Sequence, residues 1–111
     1  MAQRYDLACK DALDKMLLEL PGVSAGQMFG HPCYKVKGKV FASLTAAGVT
    51  IKLPDEAVKA LLERDRVTRF APMGKTMRRW VLVQIDDPAE LDSYRAYFEQ
   101  ALAFVAAEAA R

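Results

Sequence analysis

The spacing of hydrophobic residues changes along the chain, and this change constrains the fold more than any other feature of the sequence. Between positions 6 and 20, Leu13, Met16, Leu17 and Leu20 fall on one stripe at helical spacing, with Leu7 further back, which predicts an amphipathic helix. Val49, Ile51 and Leu53 instead alternate with polar residues, and this spacing is typical of a half-buried strand. The chain therefore combines helices with strands, and glycine and proline residues separate them at regular intervals.

The predicted elements follow the order α-β(3)-α-β(2)-α. Residues 27–29 form either a short strand or the start of one, and Lys37-Gly38 is a candidate two-residue turn between strands. The remaining predicted ranges are a helix over 6–20, strands over 33–36, 39–44 and 49–53, a helix over 54–64, strands over 67–71 and 79–85, and a helix from 87 onward. This order favours the α+β class, with helices packed on an antiparallel sheet in two layers. One face of such a sheet can stay open to solvent or to a partner.

Large apolar side chains supply the predicted core, but the pattern does not show which sheet face is buried. A two-residue turn gives both faces of the hairpin over residues 33–44 a mixture of polar and apolar side chains. The predicted core residues are Met28, Phe29, Phe41, Trp80 and Phe98.

Length and composition indicate one globular domain over residues 1–111. The chain has 111 residues, of which 52% are hydrophobic and 27% charged. No apolar run reaches the roughly 18 residues of a membrane-spanning helix, and the N-terminal segment lacks the apolar region of a signal peptide. We therefore expect a cytoplasmic protein with no membrane partner. Cys9 and Cys33 are expected to be free thiols.

Basic residues concentrate in the middle of the chain. Residues 31–52 hold four lysines and no acidic residue, and residues 53–85 hold seven basic and four acidic residues. The middle therefore carries +7 and the two ends together carry −5. If the middle segments fold side by side, they form a basic surface suited to a phosphate backbone. The candidate nucleic-acid-binding residues are Lys35, Lys37, Lys39, Lys75, Arg78 and Arg79, with Trp80 and Tyr34 as candidate stacking residues.

A simpler explanation of the exposed lysines is that they keep a sheet edge soluble and discourage pairing between molecules. No helix-turn-helix, RNA-recognition or zinc-finger signature in the sequence indicates a sequence-specific reader of nucleic acid.

Few residues could carry catalytic or metal chemistry. One histidine and two cysteines are too few for a zinc-type site, which needs about three or four ligands. His31 and Cys33 would share one face of a strand, but no third group can be identified to orient the histidine. A simpler interpretation places Cys33 in a buried strand and His31 in a turn. Gly74-Lys75-Thr76 matches the end of a phosphate-binding loop whose first glycine is replaced by Arg69. The sequence therefore predicts no metal, no cofactor and no enzymatic activity.

Three stretches of the chain have an order and spacing that are typical of a known family. They are MFGHPCYKVKGKVFASL at 28–44, LPDEAVKALL at 53–62 and FAPMGKTMRRWVLV at 70–83. Over about residues 26–105 the chain resembles the N-terminal domain of the TfoX/Sxy family. The resemblance implies a two-layer α+β domain similar to secretion-chaperone-like folds, and kinship with the MmcQ/YjbR-like domains, which are often described as candidate DNA-binding proteins. TfoX members with two domains resemble regulators of natural competence that act with a transcription factor.

Two functions are compatible with these observations. We expect a non-enzymatic regulatory or protein-interaction module that resembles the TfoX N-terminal domain, associates with itself or with a protein partner, and is linked to transcription regulation. The alternative is a weak DNA-binding protein of MmcQ/YjbR type that uses the central basic patch.

Overall fold

A computed structural model describes residues 5–28 and 30–110 of the chain. This part of the chain contains three α-helices, six strands and two 3₁₀ segments. In chain order they are α1 (Leu7–Leu17), β1 (Val23–Met28), β2 (His31–Val36), β3 (Lys39–Thr45), β4 (Gly48–Lys52), α2 (Asp55–Leu62), β5 (Val67–Arg69), a 3₁₀ turn (Pro72–Gly74), β6 (Trp80–Val83), a 3₁₀ segment (Pro88–Tyr94) and α3 (Arg95–Ala109). The predicted α+β class is confirmed.

The six strands form one antiparallel sheet in the order β1-β2-β3-β4-β6-β5. The sequence predicts three strands before α2, whereas the structure has four, because residues 23–28 form a full strand. Between Val23 and Met28 this edge strand contains only Ser, Ala, Gly and Gln. It therefore lacks the alternation of large apolar and polar residues that reveals a half-buried strand.

The hairpin between β2 and β3 has the predicted two-residue turn and, in addition, a bulge. Lys37 and Gly38 both have positive φ values, 51° and 82°, as a type I′ turn requires. Tyr34 pairs with Ala42 whereas the next residue of β2 pairs with Val40, so Phe41 is an extra residue in β3. Phe41 and Ala42 are consequently both buried although they are neighbours. This bulge is why strict alternation gives both hairpin faces a mixed composition.

The C-terminal helical region begins as a 3₁₀ segment rather than as the predicted continuous α-helix. Asp87 caps it, since its side chain accepts a hydrogen bond from the backbone N–H of Ala89 at 3.0 Å. Leu91 and Tyr94 are buried at a spacing of three residues, which matches the three-residue turn of a 3₁₀ helix. The α-helical geometry then starts at Arg95.

The helices pack on one face of the sheet, and the main core lies between the two layers. Alternate residues of β2 to β6 meet apolar residues from all three α-helices in one cluster. Its strand members are Tyr34, Val36, Phe41, Ala42, Leu44, Val49, Ile51, Val67, Val81 and Val83, and its helix members include Leu13, Leu17, Leu61 and Phe98.

The predicted core residues are only partly confirmed. Phe41 and Phe98 are buried, at 0% and 1% exposure. Met28 is 38% exposed and Trp80 is half-buried, so their assignment to the main core is wrong. Both alternate with core-facing residues and therefore lie on the opposite face of the sheet. Phe29 lies outside the described residues.

Candidate nucleic-acid interface

The sheet face opposite the core is not covered by an α-helix of the described residues, and we call it the open face, although the residues at its centre are buried by their neighbours. It consists of the strand residues that alternate with the core residues. Cys33, Ser43 and Thr50 lie opposite one another across β2, β3 and β4 on this face. Trp80 and Leu82 continue it on β6. The apolar contacts of the three α-helices with the sheet form the core on the other side.

An apolar pocket of about 270 Å³ lies on the open face. The rings of Phe70 and Trp80 have centroids 6.3 Å apart and are inclined at 55°, so they are tilted and not stacked on each other. Ser43 and Thr50 are 4% and 0% exposed, and their hydroxyl groups form a hydrogen bond with each other at the floor of the pocket. The pocket is lined by Met28, Val40, Ser43, Thr50, Phe70, Pro72, Met77 and Trp80.

The loop between β5 and β6 forms one wall of this pocket because it closes on itself. The backbone N–H of Phe70 donates to the carbonyl of Trp80 at 3.1 Å, and that of Met77 donates to the carbonyl of Phe70 at 2.9 Å. The backbone N–H of Trp80 in turn donates to the carbonyl of Met77 at 3.1 Å. These bonds hold three large apolar residues side by side where β6 begins.

The sheet layer, which we define as residues 23–53 and 67–85, is cationic throughout. It holds eight lysines and arginines and no acidic residue, and all 14 acidic residues lie in the helices or in the segments that flank them. The charge asymmetry along the chain is therefore an asymmetry between two layers of the fold. Such a distribution favours a polyanion on the sheet side. The eight residues are Lys35, Lys37, Lys39, Lys52, Arg69, Lys75, Arg78 and Arg79.

The antiparallel register brings most of the predicted binding residues to one end of the sheet. Lys37 lies in the turn between β2 and β3, and Lys39 begins β3. At the same end β4 finishes with Lys52, and β6 begins directly after Arg78 and Arg79. The two basic segments of the sequence thus adjoin, which is the arrangement that the predicted basic patch requires. Their binding of nucleic acid stays a prediction.

Four of the six predicted binding residues are lysines without an acidic partner. Among the described residues no carboxylate lies within ion-pairing distance of Lys35, Lys37, Lys39 or Lys75. The last three are exposed, and Lys35 is half-buried. The stem of Lys35 passes close to Gly26, where a Cβ atom would lie 3.4 Å from Cε of the lysine.

The two predicted arginines are partly neutralised within the molecule. Arg78 Nη2 donates to Asp55 Oδ2 at 2.9 Å, and Arg79 Nη1 lies 3.7 Å from Glu108 Oε2. Lys52 Nζ also lies 3.0 Å from Glu108 Oε1, and its hydrogen bond is the main cause of the lowered pKa of Glu108. Desolvation raises the pKa of Asp55, but the hydrogen bond from Arg78 and the nearby positive charges outweigh it, so that this pKa is lowered too. Both acids therefore stay charged and weaken the cationic end of the sheet.

The predicted stacking role of Tyr34 is wrong, because this side chain faces the helices and is 1% exposed. Its hydroxyl group donates to Asp14 Oδ1 at 2.6 Å, and Lys10 Nζ donates to Asp14 Oδ2 at 2.7 Å. Burial raises the pKa of Asp14, but these two hydrogen bonds outweigh it and the pKa is lowered. Tyr34 thus ties α1 to the sheet, and Trp80 is the stacking candidate that lies on the open face.

The thiols are not activated for nucleophilic catalysis. Cys33 is a fully buried strand residue, as the simpler interpretation predicts, and burial raises its pKa although Lys35 acts in the opposite direction. Cys9 is also buried, and burial raises its pKa to about 11. Both thiols are therefore protonated at neutral pH. The placement of His31 in a turn is wrong, because it begins β2 and pairs with Met28.

Within residues 5–28 and 30–110, no group of three or more His, Cys, Asp or Glu side chains is placed to hold a metal ion. No helix in this part of the chain is long and apolar enough to span a membrane.

Several residues of this surface are missing from the sequence-based prediction, and four of them show why. Lys52 and Arg69 belong to the cationic layer, and the absence of Asp and Glu from residues 20–54 and 67–85 is the signal that could have revealed them. Phe70 and Met77 line the pocket. They meet only because the loop closes through backbone hydrogen bonds, and residue spacing carries no signal for that contact.

The fold and this surface define a class of protein: a small two-layer α+β domain whose open sheet face is cationic and holds an apolar pocket. The family model of YjbR matches residues 18–101, which is well over half of the chain. The chain belongs to the YjbR family. The predicted kinship with MmcQ/YjbR-like domains is confirmed, whereas the resemblance to the TfoX N-terminal domain stays a prediction. No curated protein and no solved structure matches the chain.

Proposed function

We propose that the protein is a non-enzymatic domain of regulatory type that binds nucleic acid through its sheet layer. One observation carries the proposal: this layer holds eight basic residues and no acidic residue. Membership of the YjbR family supports a small domain of regulatory or DNA-binding type. A cytoplasmic location, expected from the sequence, belongs to the same proposal.

The proposed binding depends on lysines that are exposed to a phosphate backbone and are not already paired with an acid. Lys37 and Lys75 are exposed, and neither has an acidic partner among the described residues, so each can contact a phosphate without breaking an internal ion pair. Each neutralised phosphate releases counterions, and the affinity falls steeply as salt is added. Arg78 and Arg79 contribute less, because Asp55 and Glu108 compete with phosphate for them.

Fluorescence anisotropy with labelled DNA, measured over a salt series, tests the proposal. We compare the variant Lys37→Gln/Lys75→Gln with the control Lys15→Gln/Arg95→Gln, which removes the same charge from the helix layer. Lys15 and Arg95 are exposed and pair only with acids of their own or the adjoining helical segment. The sheet variant should lose about two from the log–log salt slope, since each lysine contributes about one. The control should keep the slope of the wild type.

Two results would contradict the proposal. The first is no detectable DNA binding at low salt. The second is an equal loss of affinity in the sheet variant and in the helix control, because net charge alone would then explain the binding.

A second candidate function, a protein-interaction module, is favoured by one edge of the sheet. β1 presents six residues without a charge or a proline, whereas the opposite edge, β5, has three residues that include Arg69. Natural sheet edges are usually protected by charge, proline or shortness, so β1 is the edge suited to strand pairing with a partner or a second copy. If sedimentation over a concentration series shows self-association, Gln27→Lys should abolish it and Thr68→Lys on β5 should not. If the protein stays monomeric at every concentration, a second copy of the chain is not the partner of β1.

A further inference from the structure

The apolar pocket of the open face combines features that a solubilising surface does not need. It encloses about 270 Å³, which is slightly below the lower end of the range of about 300–1,000 Å³ typical of ligand pockets. The tilted rings of Phe70 and Trp80 do not cover each other, so ring surface remains available for contact with a flat ligand. The pocket lies within the sheet layer, which holds eight basic residues and no acidic residue.

We propose that this pocket receives one unstacked base of a single-stranded nucleic acid, with the flanking phosphates on the lysines of the sheet layer. The inference rests on the proposed function and names the form of nucleic acid that it binds. Bases of single strands can leave the stack and lie against aromatic side chains, whereas bases of a duplex are held by pairing and stacking. Trp80 is the aromatic residue on which the base stacks.

The floor of the pocket is closed by Ser43 and Thr50, which are 4% and 0% exposed and form a hydrogen bond with each other. The surface that a ligand can reach is therefore almost wholly apolar and aromatic. The flat ring of a base suits such walls, because it stacks on an aromatic side chain while its phosphates stay outside the pocket.

An acidic peptide would also match the charge of the sheet layer. A single-stranded nucleic acid matches both features of the surface, because its base can stack on Trp80 while its phosphates contact the surrounding lysines.

The experiment compares a short oligodeoxythymidylate with an abasic strand of the same length, which has the same phosphates but no bases. Anisotropy should show that the base-carrying strand binds about 5- to 150-fold more tightly, the range expected for stacking of one base. Trp80 is the single tryptophan of the chain, so its fluorescence reports on the pocket in the wild-type protein. Oligodeoxythymidylate should quench it, and the abasic strand should not.

Two variants separate the pocket from the phosphate contacts. Trp80→Leu removes the ring on which the base stacks and should reduce the preference for the base-carrying strand by about 5-fold or more. Lys37→Gln/Lys75→Gln should weaken both strands equally and leave the preference unchanged. Circular dichroism confirms that each variant is folded.

The outcomes distinguish this inference from the proposed function. Equal affinity for both strands without quenching of Trp80 overturns the base pocket and leaves nucleic-acid binding intact. Failure of every strand and duplex to bind at low salt overturns both. Quenching by an acidic peptide that also displaces oligodeoxythymidylate assigns the pocket to a peptide and overturns the inference.

Discussion

Replacing Gly48 by alanine should strongly destabilise the protein, because the backbone of β6 occupies the space of the new methyl group. Gly48 begins β4 with a φ of +144°, a conformation that L side chains rarely adopt. A Cβ atom there would lie 2.2 Å from the carbonyl oxygen of Val83 and 3.0 Å from its carbonyl carbon. Neither atom belongs to a flexible side chain, so the two strands must separate or the backbone of residue 48 must change.

The magnitude follows from two contributions. The strained backbone alone costs about 1–3 kcal/mol. Separation of β4 from β6 also weakens the four pairs between the strands, the first of which joins Val49 and Val83. We expect a total loss of about 3–5 kcal/mol, which is a large share of the roughly 5–15 kcal/mol that stabilises a typical domain. The contact between β4 and β6 also joins the two basic segments. We therefore expect Gly48→Ala to lower the affinity for DNA as well as the stability.

Urea denaturation followed by the fluorescence of Trp80 measures this loss, with Gly38→Ala as the matched control. Gly38 also has a positive φ, +82°, but no described atom lies within 4 Å of a Cβ atom placed there. The control should therefore lose only the backbone contribution, about 1–2 kcal/mol. If Gly48→Ala is no less stable than Gly38→Ala, the close approach of β4 to β6 does not constrain this position.

Two further predictions concern the acids that face the sheet. Tyr34→Phe should lower the free energy of unfolding by about 1–2 kcal/mol at pH 7. The pKa of Asp14 is lowered in the folded state, so its contribution is present above the usual value of 3.8 and is lost as the pH falls through the folded-state pKa. Urea titrations should therefore show a smaller difference between wild type and variant below that pH, and a constant difference contradicts the role of this hydrogen bond. Glu108→Gln removes the acid that pairs with Lys52 and Arg79. Anisotropy should therefore show tighter DNA binding and a log–log salt slope that is steeper by about 1. Unchanged binding would show that this end of the sheet does not contact phosphate.

Local chemistry explains which parts of the fold are visible in the sequence. The Lys37-Gly38 turn is predicted correctly because its backbone needs two positive φ values, and the dipeptide permits them. β1 is largely missed because it lies at an edge and buries little. The bulge at Phe41 is missed because it arises from a shift in pairing with another strand, which residue spacing within β3 does not encode.

The candidate site is predictable to the extent that it depends on charge along the chain. The sequence leaves open whether the lysines around β2 and β3 adjoin the arginines before β6, and antiparallel pairing brings both to one end of the sheet. The partial neutralisation of those arginines is not predictable in this way. Asp55 begins one helix and Glu108 lies near the end of another, and only the packing of α2 and α3 brings them to Arg78 and Arg79.

The separation of charge into two layers has a consequence for how many polyanions one molecule can engage. The helices and the segments that flank them carry all 14 acidic residues, whereas the sheet layer carries none. On the proposed function, a polyanion is therefore attracted to the sheet side, and most of the acidic residues lie away from it. One copy of the domain then offers a polyanion one binding side, so it would engage one strand at a time.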